Sequence, residues 1–320
     1  MNNVERKSSE SKKIQLYQLL IWHNFLDIDL LDVYNYFFNM NNNFNKKNKL
    51  YFYFYLAILF TCFSFNSYAK DKTPEPITWK NDLKEWIFGE DKIKDGGHLF
   101  SLDTPYRALD AAIVPISINF YQPQTEANYV KNLTLIVDEN PSPVVSRFNF
   151  TPKMGNASIT TRVRIDKYTY VRAVVEMNNG EKYMNANFVK AAGGCSAPSL
   201  ADMDTVMARL GKMKMKFYET GNKNSLSKAQ FLISHPNFSG LQFNQLTRAE
   251  IPAHFVNYIK IEQDREVILE AYPDISLSED PAITFHFHDS GTPLKVTVKD
   301  SDGKNFAGEF PLTSIISKKF

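Results

Sequence analysis

The chain has 320 residues, 43% of them apolar and 22% charged, with 37 Lys/Arg against 35 Asp/Glu. Residues 1–69 hold seven of those bases and five of those acids, so the remainder carries 30 of each. A neutral chain of this length offers no basic stripe for nucleic acid and no polycationic face for a membrane, but it can build two small cores.

Lys46, Lys47 and Lys49 precede the apolar run Leu50–Phe60, and Ser67-Tyr68-Ala69 follows as a small-x-small cleavage site. A positive lead, an apolar core too short for an anchor and a small-residue site make a secretory signal, cleaved after Ala69. Residues 1–39 then read as an over-extended beginning, with Met40 the natural start.

A short helix opens the remainder. Thr78 is placed to cap it, Leu83, Trp86 and Ile87 form its apolar face, and Gly89 ends it. From there the pattern is β. Strands are predicted at 112–121, 133–138, 145–150, 159–165, 170–175 and 182–189, with Asn178-Asn179-Gly180 as a hairpin turn. Residues 191–198, Ala-Ala-Gly-Gly-Cys-Ser-Ala-Pro, break the pattern, and Ser199 and Asp202 resemble a capping box over a helix ending near Gly211. Lys212 to Tyr218 alternates strictly, and strands follow at 231–235, 255–261, 267–272, 283–288, 295–298 and 306–310. The fold class is all-β: two immunoglobulin-like β-sandwiches joined by a flexible cysteine-bearing arm. The divisions are 1–69 (signal and over-extended start), 70–192 (first sandwich), 193–211 (arm and linker helix) and 212–320 (second sandwich).

After signal removal Cys195 is the one cysteine left, so no intramolecular disulfide is possible. Gly193 and Gly194 before it give the arm its freedom, and a lone thiol on such an arm reads as an exposed chemical handle of ordinary pKa. That suits a carrier loaded by another protein. A nucleophilic enzyme would place a base beside it, and no carboxylate or Asn can be paired with a Cys/His couple. The histidines of this part are His98, His235, His254, His286 and His288. His286 and His288 share a strand face and could bind a metal, but the polar face of an edge strand is the favoured reading, and His235 and His254 read as strand ends. There is no phosphate loop, no haem-attachment motif and no cysteine cluster, so neither metal nor cofactor is assigned.

Gly193-Gly194-Cys195 at the end of a β domain resembles the swinging-arm motif of SoxY, the carrier subunit of the SoxYZ complex of bacterial thiosulfate oxidation. The run Pro105 to Ile116 is similar to a SoxY stretch ending in Val-Pro-Val. Ile233-Ser234-His235-Pro236-Asn237-Phe238-Ser239-Gly240-Leu241 and Ile251-Pro252-Ala253-His254-Phe255 resemble SoxZ signatures in that family's order. The fused order is similar to single-chain SoxYZ-like carriers associated with quinoprotein dehydrogenases. The resemblance implies a periplasmic, non-enzymatic carrier with its intermediate on Cys195. Its expected partners are a c-type cytochrome or a quinoprotein dehydrogenase system. A non-enzymatic interaction module with an incidental thiol is the alternative. Two departures stand out: Ser196-Ala197-Pro198 replaces the family's trailing glycines, and the arm is tethered at both ends. About ten extended residues span roughly 30 Å, and the double tether halves the useful excursion.

Overall fold

A computed structural model describes residues 73–198, 203–219, 225–245 and 247–312. The expected signal and the Ser199/Asp202 capping box lie outside the described residues. No described helix is long and apolar enough to cross a membrane.

A helical stretch opens the described chain: a π-helical turn at Trp79–Leu83, then helix α1, Lys84–Phe88. Its inward side is Trp79 and Leu83, while Trp86 is exposed. The wider π turn rotates the face that a regular helix would have given Trp86. Thr78 makes no cap; its hydroxyl donates to the Glu139 carboxylate instead. Gly89, at φ 58°, closes the helix with its N–H on the Glu85 carbonyl.

Eight strands follow: β1 (Ile93–Asp95), β2 (Phe100–Asp103), β3 (Val114–Phe120), β4 (Val130–Val137), β5 (Val144–Phe150), β6 (Ile159–Val163), β7 (Thr169–Met177) and β8 (Lys182–Val189), of which the last six match a predicted run in place. After helix α2 (Met203–Ala208) come β9 (Met213–Glu219), β10 (Leu226–Ile233), β11 (Gln242–Phe243), β12 (Glu250–Ile251), β13 (Val256–Gln263), β14 (Glu266–Pro273), β15 (Ala282–His288), β16 (Leu294–Asp300) and β17 (Asn305–Phe310). Alternation explains their faces. In β10 Ser227, Ala229, Phe231 and Ile233 are buried, while Lys228, Gln230 and Leu232 are half-exposed.

The strands form two large sheets, and each runs through both halves of the chain. One has nine strands in the order β1-β8-β7-β4-β5-β14-β13-β16-β17; the other has six, β2-β3-β6-β15-β10-β9. The seam of the first is β5 against β14, with Phe148 opposite Ala271 and Phe150 opposite Leu269. The seam of the second is a bridge between Thr160 and Thr284. The two sandwiches therefore stand edge to edge, and one hydrophobic core continues from Phe100 and Phe148 to Phe231, Phe285 and Phe287. Hydrogen bonds also stitch the seam: Thr161 Oγ1 to the Ala282 carbonyl at 2.9 Å and Thr151 Oγ1 to the Val267 carbonyl at 2.7 Å.

This continuity corrects one expectation. β15 lies between β6 and β10, so His286 and His288 sit on an interior strand and not at an edge. They do share a face, where His286 is half-buried and His288 exposed.

Candidate functional site: a seated thiol at the seam

The chain leaves β8 at Val189, and residues 190–198 lie against the junction of the two halves. Lys190 pairs with the Tyr106–Ala108 segment: its N–H donates to the Tyr106 carbonyl, and its own carbonyl accepts from Ala108. Gly193 N–H donates to the Asp166 carbonyl at 2.8 Å and Gly194 N–H to the Ile165 carbonyl at 2.9 Å. On the opposite side, Ser239 Oγ donates to the Cys195 carbonyl, and Gln242 Nε2 donates to the Ala197 carbonyl at 2.7 Å. The first half thus supplies carbonyls and the second half supplies donors.

Both glycines are needed by this seat. Gly193 adopts φ 80°, in the left-handed region, with open space where a Cβ would lie. Gly194 is different: a Cβ there would stand 2.0 Å from the Ala111 carbonyl oxygen and 2.7 Å from that of Ile165. The sequence predicts a loose, exposed arm. The structure instead seats it, because chain without side chains can approach a backbone closely enough to exchange hydrogen bonds with it.

Cys195 is fully buried, contrary to the expected exposed thiol. Burial is the main reason that its pKa is pushed up to about 12; the Asp166 carboxylate adds to the rise, and the Arg164 guanidinium opposes it. Arg164 is itself buried, and desolvation lowers its pKa. Its Nη1 donates to the Asn237 carbonyl at 2.7 Å and the Leu277 carbonyl at 2.6 Å, and its Nε has no partner. A seated thiol of this kind is uncharged and unreactive at neutral pH.

The second-half loop that receives the arm is Ser234–Leu241, between β10 and β11. Its pivot is Asn237, buried and left-handed at φ 47°, a conformation that Asn tolerates better than most residues. Asn237 Nδ2 donates to the Leu277 carbonyl, Oδ1 accepts from Val256 N–H, and its own N–H donates to His235 Nδ1 at 3.0 Å. Behind it lies a second cluster. His254 Nε2 is 2.8 Å from Asp300 Oδ2, His235 Nε2 is 3.5 Å from the same oxygen, and the two rings meet edge to face with centroids 4.6 Å apart. Burial first, then the neighbouring His254, lowers the His235 pKa to about 4. Burial works to raise Asp300, but the His254 hydrogen bond and the Lys304 backbone N–H outweigh it and hold the carboxyl below its usual value.

His235, His254 and Asp300 place their ligand atoms within 4.8 Å of one another, the spacing of a metal site. The hydrogen bonding argues against that use. Asn237 N–H points into the lone pair of His235 Nδ1, so the neutral ring carries its proton on Nε2, the atom that would have to ligate. A metal-bound His has the reverse arrangement, with its other nitrogen donating. The cluster is instead an electrostatic brace: the Asp300 carboxylate is hydrogen-bonded to His254 and faces His235, whose Nε2 has no hydrogen-bond partner. Asp300 was missed in the sequence, although a signal exists. It continues the inward series Leu294, Val296, Val298 of β16, which predicts a buried carboxylate. Arg164, Asp166, Ser239 and Gln242 carried no comparable signal. His98 lies apart from this site, edge to face with Tyr183 at 5.4 Å.

Fold and site together define a class: an all-β protein with the one cysteine among its described residues seated, on a Gly-Gly-Cys segment, between two sandwiches. A family model described as sulfur oxidation protein SoxY matches residues 84–195, ending on Cys195, and one described as sulphur oxidation protein SoxZ matches residues 215–311. The chain belongs to the SoxY and SoxZ sulfur oxidation protein families, with a SoxY part followed by a SoxZ part on one polypeptide. No curated protein matches the sequence. Among solved structures, the sulfur carrier protein SoxY from Chlorobium limicola f. thiosulfatophilum is 23% identical, with a TM-score of 0.30, over 36% of this chain and 94% of that one. A superoxide reductase (neelaredoxin) from Ignicoccus hospitalis is 15% identical, with a TM-score of 0.27, over 29% of this chain and 80% of that one. A β-glycosidase from Bacteroides vulgatus is 7% identical, with a TM-score of 0.21, over 67% of this chain and 24% of that one.

Proposed function

We propose that the protein is a periplasmic covalent carrier that holds a sulfur-containing intermediate on Cys195 and presents it to partner redox enzymes. The observation that carries this reading is the seat itself. The SoxY match ends on Cys195, and the segment bearing it is held by hydrogen bonds that each have a backbone carbonyl as acceptor. Each such bond contributes about 1 kcal/mol, so the segment is ordered yet releasable without unfolding a core.

In the seated state, with its pKa pushed up to about 12, the thiol stays protonated at pH 7. Loading therefore requires release of the arm, which returns the thiol toward its ordinary pKa of about 8.5. With thiosulfate as cargo, a bond forms between the Cys195 sulfur and the terminal thiosulfate sulfur. That step releases one proton and two electrons, and an external acceptor must take the electrons. A c-type cytochrome or a quinoprotein dehydrogenase system is the class of partner that can. The double tether keeps the excursion short, which favours a partner whose reactive centre lies near its surface.

Intact mass spectrometry of the protein from its native periplasm, with and without reductant, tests this reading. A reductant-sensitive increment on Cys195 is expected, and its size names the cargo. An unmodified thiol while the pathway runs, together with a Cys195→Ser variant that supports full pathway activity, would sink it.

The full burial of Cys195 favours a second reading, an interaction module with an inert thiol. On that reading Cys195→Ala retains both partner binding and pathway activity. The carrier reading expects binding to be retained and activity to be lost.

A further inference from the structure

The SoxZ-like half contributes no thiol among the described residues, yet the arm rests on one of its buried, hydrogen-bonded loops. We propose that His235 is a positioning residue for the Cys195 arm, holding through Asn237 and Ser239 the loop on which the arm is seated, its ring packed edge to face on His254 and facing the Asp300 carboxylate. This rests on the carrier reading for its meaning, though not for its test.

The chain of contacts is continuous. Asp300 Oδ1 accepts the backbone N–H groups of Asp302 and Lys304 at 3.1 and 2.8 Å, which leaves Oδ2 directed at the two imidazoles. His235 N–H is held by Asp280 Oδ1 at 3.0 Å, and Asp280 is itself paired with Arg209 at 2.6 Å. The ring's Nδ1 then accepts Asn237 N–H at 3.0 Å. Asn237 offers its carbonyl to Arg164, and two residues on, Ser239 Oγ donates to Cys195 while accepting Leu241 N–H. His254 grips the same loop from the other side, its N–H on the Phe238 carbonyl at 3.0 Å.

The polarity of the central bond gives the arrangement a consequence. A proton on Nδ1 would face the Asn237 N–H, donor against donor, and the loop would have to move. The titratable and charged groups around the ring are His254, Asp300, Asp302, Lys304, Asp280 and Arg209; of these, the neighbouring His254 and Lys304 oppose protonation, and Asp300 favours it. The bond is therefore kept at neutral pH and given up in acid, when the released ring regains its ordinary affinity for a proton.

The test is the labelling rate of Cys195 by 4,4′-dithiodipyridine, which reacts with thiols in acid as well as at neutrality. It uses the full chain with Cys62→Ser, so that Cys195 is the one thiol, and glutathione as the reagent control. His235→Ala should raise the rate at least about tenfold at pH 7, the equivalent of losing one buried hydrogen bond. His235→Asn, whose amide oxygen can accept the Asn237 N–H, should stay within about threefold of the parent. Between about pH 7 and pH 4.5 the parent's rate should rise at least about tenfold relative to glutathione, and that rise should be absent in His235→Asn. Tryptophan fluorescence at each pH reports whether the sandwiches remain folded. A flat parental profile, or an Asn variant as fast as the Ala variant, would overturn the proposal. Should His235→Ala fail to fold, Ser239→Ala, which removes the hydrogen bond to the Cys195 carbonyl, must show the same tenfold rise, and a parental rate there overturns it equally. None of these outcomes depends on whether Cys195 carries cargo in the cell.

Discussion

At the scale of single residues, the two glycines before the thiol do different jobs, and substitution separates them. Gly193→Ala meets no atom but must hold φ 80°, which costs about 1–2 kcal/mol. Gly194→Ala meets the Ala111 carbonyl oxygen at 2.0 Å, a backbone atom that cannot turn aside. Gly194→Ala is therefore expected to unseat the arm, with faster thiol labelling than Gly193→Ala and a melting temperature within a few degrees of the parent. Equal labelling of the two variants would contradict this division. His235 supplies a second expectation at this scale. Its native pKa of about 4 lies below the unfolded value of about 6.5, so the unfolded chain binds a proton that the native state refuses. The associated stability is intact above pH 6.5 and is lost as pH falls toward 4, by up to about 3 kcal/mol. Urea titrations at pH 7 and pH 4.5 on the parent and on His235→Asn should show that loss in the parent alone. Cys195 was legible in the sequence because its residue type is rare here and its neighbours are unusual. Its burial was not, because Asp166, Arg164 and Ser239 reach it only through the tertiary fold.

At the scale of elements, alternation made the strands legible and left their neighbours undetermined. Lys212 to Tyr218 and Lys295 to Val298 can be read as strands with known inward faces, the second extending to Leu294 and Asp300 in the structure. Nothing in that period says that β14 pairs with β5, or that β15 is interior, since partner choice depends on which apolar faces meet. The helix shows the opposite failure: a regular 3.6-residue period placed Trp86 inward, and one π turn moved it out. The seam yields the prediction that belongs to this scale. Phe148 is 1% exposed and lies opposite Ala271 across the junction of the halves. Phe148→Ala should cost about 3–5 kcal/mol, the usual penalty for emptying a packed aromatic site. Hydrogen exchange should report that loss in β14 and β13 as well as in β4 and β5. Protection unchanged in β13 and β14 would mean that the seam transmits little.

At the scale of the whole molecule, the shared sheets determine what kind of motion a carrier of this architecture can use. Two sandwiches on a flexible linker could open like a hinge; two sandwiches that share a nine-stranded and a six-stranded sheet cannot, because opening would strip a full row of β5–β14 hydrogen bonds and expose a common core. Motion is thereby confined to the segment around Cys195, which is held by separate hydrogen bonds and not by a sheet ladder. The matching thermodynamic expectation is one cooperative transition for residues 73–312, despite two family matches within them. Calorimetry should give a single endotherm whose calorimetric and van't Hoff enthalpies agree. The SoxY part expressed alone, ending at Cys195, would present β5 and β6 as bare edges beside an opened core, and is expected to aggregate. Adding the SoxZ part during refolding should rescue it by covering those edges. Two separated endotherms, or a stable monomeric SoxY part, would show that the halves fold independently, and a hinge between them would then become the better account of how the thiol is exposed.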